Sequence, residues 1–158
     1  MKKVIFLALL LLSSWQVSVA VTPSVDVYVA GYNGNFAKLW INGIPQYLTD
    51  GTYCARANCV FVSGNDVYVA GYEENSQGKL VATLWKNGNG QRLTNGKEWA
   101  EANSVFVSGN DVYVAGNKRY EDGGDYGPVL WKNAVAQNLT DDGWGSAGAY
   151  SVFVVPRK

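Results

Sequence analysis

The fold is decided by the stretch S-V-F-V-S-G-N-D-V-Y-V-A-G at residues 104–116. Its first part, residues 104–108, is a run of β-branched and aromatic residues, and residues 112–115 form a second run. Between the two runs stand Gly109 and Asn110, which are residue types that tolerate the positive φ of a tight hairpin turn. The stretch therefore predicts two antiparallel strands joined by a two-residue turn.

The hairpin pattern occurs three times along the chain. D-V-Y-V-A-G is found at residues 26–31, 66–71 and 111–116, and each copy is followed by a tryptophan at Trp40, Trp85 or Trp131. The tryptophans are 45 and 46 residues apart, and a period near 45 is typical of a propeller blade with four strands. The repeat predicts units at about residues 26–62, 66–107 and 111–154.

The predicted fold class is all-β, with three four-stranded antiparallel propeller-like blades. The repeat region begins on the second type of strand and leaves on the first type, at residues 151–155. We therefore expect this C-terminal strand to complete the first blade. A β-trefoil, which also has threefold pseudo-symmetry, is the alternative.

These motifs resemble the tandem-repeat β-propellers of exported bacterial proteins. The residues that carry the resemblance are S-V-F-V-S-G-N-D-V-Y-V-A-G at 104–116, L-W-K-N-G at 84–88 and L-T-N-G at 93–96, and the resemblance extends over nearly all of residues 25–155. It implies an architecture and no particular activity, because propellers have many unrelated functions.

Closed propellers have about four to eight blades, so the three units of this chain are too few to close a ring alone. The resemblance to small propeller lectins that assemble from short chains implies a homodimer with six blades, and a fragment of a longer propeller is the other possibility.

Residues 1–20 have the layout of a secretory signal peptide. Lys2 and Lys3 precede an apolar run at residues 4–12, and Ser18 and Ala20 are small residues at the expected cleavage site. The apolar run is too short to span a bilayer, so no membrane span is expected in the mature chain. We therefore expect a repeat domain at residues 21–158 that is secreted, periplasmic or extracellular.

The charge balance and the residue types exclude several functions. The chain has 13 Lys and Arg against 13 Asp and Glu, whereas a nucleic-acid-binding surface is basic. It has no histidine for acid–base catalysis, and no phosphate-binding loop or nucleophile motif is present. The sequence predicts a non-enzymatic protein without a cofactor.

The two cysteines, Cys54 and Cys59, are the only ones in the chain. Export permits a disulfide between them, and two free thiols are the alternative. Two cysteines without histidine are too few ligands for a closed zinc site, so no metal site is predicted.

The predicted loops collect aromatic and acidic residues. Loops on a rigid scaffold often carry binding residues, and aromatic faces with carboxylates suit a carbohydrate. The candidate ligand-binding residues are Trp99, Trp144, Tyr53, Tyr72, Tyr120, Tyr126, Asp50 and Asp142. The alternative interpretation is that they pack the loops.

The two features that recur in every unit have a structural interpretation. We expect the repeated tryptophans to pack between units and the aspartate of D-V-Y-V to complete a tight turn.

The export signal and the loop residues together predict the function of a secreted module that binds a glycan or a cell-surface protein through its loops. A structural or interaction repeat without a small-molecule site, and a carboxylate-dependent glycoside-acting enzyme, are the alternatives.

Overall fold

The described residues form three antiparallel β-sheets. The structure, a computed structural model, describes residues 25–120, 124–140 and 146–157. The first sheet contains β1 (Tyr28–Asn33), β2 (Phe36–Ile41) and β3 (Ile44–Tyr47). The second contains β4 (Ala55–Ser63), β5 (Asp66–Glu74), β6 (Leu80–Lys86) and β7 (Asn89–Arg92). The third contains β8 (Ala100–Ser108), β9 (Asp111–Arg119), β10 (Tyr126–Lys132) and β11 (Val135–Asn138). The predicted all-β class is confirmed.

Within each sheet the strands follow one another in chain order. The predicted hairpin is formed by β8 and β9, with Val105 opposite Val114, and its turn contains Gly109 at a φ of 60°. Gly64 has the same conformation between β4 and β5. The described strands form three separate sheets and no closed barrel, whereas a β-trefoil is built around a barrel, so the trefoil alternative is not supported.

The same side-chain hydrogen bonds recur at the turn of the last hairpin of each sheet. We call these the outer hairpins (β2–β3, β6–β7 and β10–β11) and the set of hydrogen bonds the clamp. Asn42, Asn87 and Asn133 have φ values of 51° to 52°. The Nδ2 of Asn87 donates to Asp66 Oδ1 at 2.8 Å, and its Oδ1 accepts from the backbone N–H of Val67 at 2.8 Å. The repeated aspartate therefore has the expected structural role, but it binds the turn of the following hairpin and not the turn that precedes it.

The core lies between the faces of successive sheets. Trp85 of the second sheet packs among residues of the first, including Leu39 and Leu48. Trp131 of the third sheet packs among Tyr68 and Leu84 of the second. Both indoles are almost fully buried, which confirms the predicted packing role at these two positions. Trp40, at the equivalent position in the first sheet, is only half-buried.

The C-terminal segment does not complete the first sheet. Residues 146–157 contain no strand, and the first sheet has three strands. The segment lies against the third sheet, where the N–H of Val152 donates to Ser104 Oγ at 3.2 Å. The prediction that residues 151–155 pair with the first sheet of their own chain is therefore wrong. The first sheet packs on the second and the second on the third, which places the segment at the other end of the stack.

Candidate functional site

A cavity of about 340 Å³ opens between the second and third sheets. We call it the inter-sheet cavity. The loop that follows β7 forms one side, and the end of β9 with the outer hairpin β10–β11 forms the other. Its lining residues are Leu93, Thr94, Asn95, Lys97, Glu98, Lys118, Trp131 and Ala136. This volume lies within the range of about 300 to 1,000 Å³ that is typical of small-ligand pockets.

The loop on the β7 side is held in place by Asn75. Its Nδ2 donates to the carbonyl oxygen of Gly96 at 2.9 Å, and its Oδ1 accepts from two backbone N–H groups of its own loop. Gly96 has a φ of 77°, and a Cβ at this position would lie 2.8 Å from Asn75 Nδ2. The glycine of L-T-N-G is therefore needed for the loop that carries Thr94, Asn95 and Lys97.

Two polar atoms in the lining are buried without a partner among the described residues. They are the hydroxyl oxygen Oγ1 of Thr94 and the indole nitrogen Nε1 of Trp131. Leaving such a group unsatisfied costs about 1–3 kcal/mol. The equivalent hydroxyl in the first unit, Thr49 Oγ1, accepts from the N–H of Ala37 at 3.2 Å. The unsatisfied threonine is therefore specific to the inter-sheet cavity and is not a feature of the repeat.

The cavity also carries charge. Lys97 and Lys118 contribute two ammonium groups and Glu98 contributes one carboxylate. Lys118 follows the glycine of D-V-Y-V-A-G by two positions, where the second sheet has Glu73. Burial raises the pKa of Glu73, while Arg92 opposes the shift. Equivalent positions in the two sheets thus differ in charge, and the described lining of the inter-sheet cavity has two lysines and one glutamate.

A second cavity of about 300 Å³ lies between the third sheet and residues 146–150. Glu101, Asn117 and Tyr126 contribute to its lining. The Nδ2 of Asn117 donates to Glu101 Oε1 at 3.0 Å, and its Oδ1 accepts from the N–H of Ala149 at 2.8 Å. Because the buried amide is already bonded to the protein, this cavity has a structural explanation as the place where the C-terminal segment is attached.

A cation–aromatic cluster lies at the same end of the sheets. The guanidinium carbon of Arg56 is 3.9 Å from the ring centroid of Tyr32. Burial raises the pKa of Tyr72, although Arg56 acts in the opposite direction. The phenolic groups in turn raise the pKa of Arg56, with Tyr72 as the largest contributor. The cluster joins the first sheet to the second.

The predicted binding residues do not converge on one site. Tyr126 lines the second cavity, and Tyr72 interacts with Arg56. Trp99 follows Glu98, but its backbone carbonyl accepts from the N–H of Arg119 at 2.8 Å and its side chain is not part of the inter-sheet lining. Tyr53 is exposed. Trp144 and Asp142 lie outside the described residues.

Two of the predicted residues have local structural roles. The carboxylate of Asp50 accepts from the N–H of Thr52 at 2.8 Å, and this hydrogen bond lowers the pKa of Asp50. The hydroxyl of Tyr120 lies 3.2 Å from Thr140 Oγ1, and its ring covers Gly127. Asp50 therefore closes a turn, and Tyr120 packs on the outer hairpin of the third sheet.

The cysteines are free thiols in the structure. Cys54 directly precedes β4, and Cys59 lies within it. Extended chain separates residues five positions apart by roughly 16 Å, whereas the Cα atoms of a disulfide lie about 4.4–6.8 Å apart. The disulfide that the sequence allows would therefore require β4 to be broken.

Sequence reasoning missed the residues that distinguish the sites, including Thr94, Lys118 and Arg56. One signal was available in the motif Ala-x-Ala, which occurs at residues 55–57, 100–102 and 147–149 with Arg56, Glu101 or Gly148 in the middle. The flanking alanines are buried in the first two copies, so the variable residue is carried on a fixed frame. No comparable signal identifies Thr94, because every unit has a threonine there.

The comparisons with known proteins add no family. A scan against protein-family models gave no match, and a search among curated proteins found no significant relative. In the described ranges there is no helix long and apolar enough to cross a membrane. These ranges also contain no cluster of three or more His, Cys, Asp or Glu side chains suited to a metal ion.

Proposed function

We propose that the protein is an exported β-propeller module that binds a carbohydrate in the inter-sheet cavity. The propeller interpretation is supported by sheets whose strands follow chain order, by the packing of each sheet face on the next, and by a repeat period near 45 residues. Export is proposed from the signal peptide at residues 1–20, which lie outside the described residues.

The observation that carries the binding proposal is the pair of unsatisfied polar atoms in one cavity. The indole Nε1 of Trp131 can only donate a hydrogen bond, whereas the hydroxyl of Thr94 can donate and accept. A sugar hydroxyl does both. Because the two atoms are buried, a saccharide reaches them only if the Thr94 and Trp131 side chains shift toward the cavity, and the hydrogen bonds formed then remove their desolvation cost. Tight binding of a polar ligand in a mainly apolar pocket depends on a few such placed groups.

The charges in the lining favour an acidic sugar. Lys97 and Lys118 outnumber Glu98 in the described lining, and an ammonium group forms a charge-assisted hydrogen bond with a carboxylate. We therefore propose a uronic acid as the preferred unit. The described lining holds one carboxylate, whereas glycoside hydrolysis ordinarily uses two, so we propose binding without catalysis.

The experiment is a calorimetric titration of the protein with uronic-acid oligosaccharides and with neutral oligosaccharides of the same length. We expect the uronides to bind more tightly. Thr94→Val keeps the shape of the side chain but removes the hydroxyl, and we expect it to weaken binding about 10-fold, the effect of one lost hydrogen bond.

The matched control is Thr49→Val, since Thr49 is the repeat equivalent outside the inter-sheet cavity. We expect this variant to bind as the wild type does. Absence of binding to every saccharide would favour an interaction repeat without a small-molecule site. Equal binding by wild type and Thr94→Val would exclude the inter-sheet cavity as the site.

A further inference from the structure

We propose that two copies of this chain close into a six-sheet ring by exchanging their C-terminal segments. In this assembly residues 149–155 of each copy add a fourth strand to β1 of the other copy. The proposal rests on the internal repeat, because the second and third sheets show what surrounds each position when its neighbours are present.

The C-terminal segment lies where the innermost strand of a fourth sheet would lie. The Nδ2 of Asn58 in β4 donates to the carbonyl of Ala102 in β8 at 3.0 Å. The Nδ2 of Asn103 in β8 donates to the carbonyl of Ala149 at the same distance. The segment is therefore placed against β8 as β8 is placed against β4.

An aromatic series shows the same relation. The ring centroids of Phe61 and Phe106 are 4.7 Å apart, and those of Phe106 and Phe153 are 4.8 Å apart. Phe153 thus continues the series by one step. In contrast to the first two phenylalanines, it is 75% exposed, so the strand that shields this position in the other sheets is missing from its side.

The edge of β1 that faces away from β2 has no paired strand among the described residues. The backbone N–H and C=O of Val27 both bond to Asn42 on the β2 side. Because successive residues of a strand direct these groups to opposite sides, Tyr28 and Ala30 direct theirs to the other side. Among the described residues β1 pairs only with β2, whereas β5 and β9 each have an inner neighbour.

Two positions in the first sheet have the features of a covered site without its cover. Val29 is 50% exposed, but its equivalents Val69 and Val114 are each 1% exposed. A Cβ on Gly116 would collide with the carbonyl oxygen of Glu101 on the inner strand, whereas the Cβ position of Gly31 has only the Trp40 ring within 4 Å among the described residues. The first sheet has a glycine where a fourth strand would approach, and the described residues of its own chain do not supply that strand.

The repeat also fixes the register. Val60 is opposite Val69 and Val105 is opposite Val114, so the equivalent pair is Val152 of one copy with Val29 of the other. The two open edges lie at opposite ends of the stack in one chain, and a twofold arrangement satisfies both at once. The result has six sheets of four strands, within the range of closed propellers, and a twofold interface that is the same on both copies.

The first test is disulfide cross-linking between copies. The double variant Val29→Cys, Val152→Cys is made in a chain whose own cysteines are replaced by Cys54→Ser and Cys59→Ser. The second of these replacements introduces the serine that the other repeats have at the equivalent positions, Ser104 and Ser151. Mild oxidation should convert most of the chain into covalent dimers. The control pair, Val27→Cys with Val152→Cys, is displaced by two residues and should cross-link at least 10-fold less. Equal cross-linking of the two pairs would overturn the proposed register.

The second test is the solution mass of the full chain by light scattering. We expect two chains for the wild type and one folded chain for Ala30→Pro, which removes an N–H on the open side and leaves the β1–β2 bonds intact. Phe153→Asp should also give one chain, whereas Val135→Asp, an equally exposed residue of β11, should give two. A wild type that is monomeric or forms open chains of many copies would overturn the proposal.

Discussion

Position 116 admits only glycine, because neighbouring atoms occupy the space that a Cβ would need. The carbonyl oxygen of Glu101 lies against the Cβ position, and the Trp131 ring lies 2.9 Å from it. Gly71 has the same surroundings, with Arg56 and Trp85 in these places. The absence of a Cβ leaves room for the ring of Trp131 or Trp85 beside the glycine, and both rings are buried.

We expect Gly116→Ala to lower the free energy of unfolding by about 3 kcal/mol, the upper end of the usual cost of overpacking, because backbone on one side and a packed ring on the other leave no room to adjust. The measurement is urea denaturation followed by tryptophan fluorescence. Gly90→Ala is the control, since its Cβ would approach Trp85 Nε1 at 3.1 Å but no backbone carbonyl. A Gly116→Ala variant as stable as Gly90→Ala would contradict this explanation.

At the same scale, the sequence predicts packing residues better than ligand-binding residues. Trp85 and Trp131 could be assigned because repetition implies a shared role. Tyr120 and Asp50 were assigned to binding because they stand in predicted loops, but membership of a loop does not give the direction of a side chain. Thr94 could not be distinguished from Thr49, since the difference between them comes from the neighbouring sheet.

The hairpins are held by a clamp that links charge to turn geometry. In the second and third sheets a lysine reinforces it, with 2.7 Å between Lys86 Nζ and Asp66 and between Lys132 Nζ and Asp111. These lysines are the main cause of the lowered pKa of Asp66 and Asp111, followed by the asparagine hydrogen bonds. In the first sheet Ile41 stands in place of the lysine.

The ordinary pKa of these carboxyl groups is 3.8, and folding lowers it. At any pH above 3.8 the lowered pKa therefore contributes to the stability of the fold, and this contribution is lost as the pH falls through the folded pKa. We expect Asp66→Asn with Asp111→Asn to lose less stability than the wild type between about pH 5 and pH 2. Thermal melting at a series of pH values measures this. Asp26→Asn is the matched control without a lysine partner, and an acid response of the double variant as steep as that of wild type would contradict the assignment.

At the scale of the element, turn chemistry predicted the hairpins but not their full length. The sequence predicted a strand at residues 104–108, and β8 begins at Ala100. The additional residues are Ala100, Glu101, Ala102 and Asn103. The two alanines are buried, and none of the four residues is β-branched or aromatic, so they lack the usual signature of a strand. Residues 151–155 have that signature, but they form no strand because a strand requires a hydrogen-bonded neighbour, and none of the described residues supplies one.

At the scale of the whole molecule, three sheets packed face to face leave two dissimilar ends. One end is the uncovered face of the first sheet with Val29 and the half-buried Trp40, and the other is the C-terminal segment with Phe153. The repeat count and the additional copy of the first strand's motif at residues 151–155 could be read from the sequence, although this copy forms no strand among the described residues. Their consequence depends on which sheet the segment packs against, which the structure establishes through contacts such as the hydrogen bonds of Asn103 and Ser104.

If the ends of two copies satisfy each other, folding stability must depend on protein concentration, because association stabilises only the folded chains. We expect the melting temperature to rise over an about hundredfold increase in concentration, and Gly31→Ala to weaken association at least 10-fold. The reason is that a Cβ at residue 31 would meet the incoming carbonyl of Gly148 from the second copy, as a Cβ on Gly116 would meet that of Glu101. Analytical ultracentrifugation gives the dissociation constants.

The control is Gly90→Ala, which introduces a comparable contact with a tryptophan ring. Gly90 lies in β7 of the second sheet, which is at neither open end, so this variant should associate as the wild type does. A Gly31→Ala variant that associates as tightly as Gly90→Ala would show that no strand approaches β1, and the first sheet would then be complete with three strands.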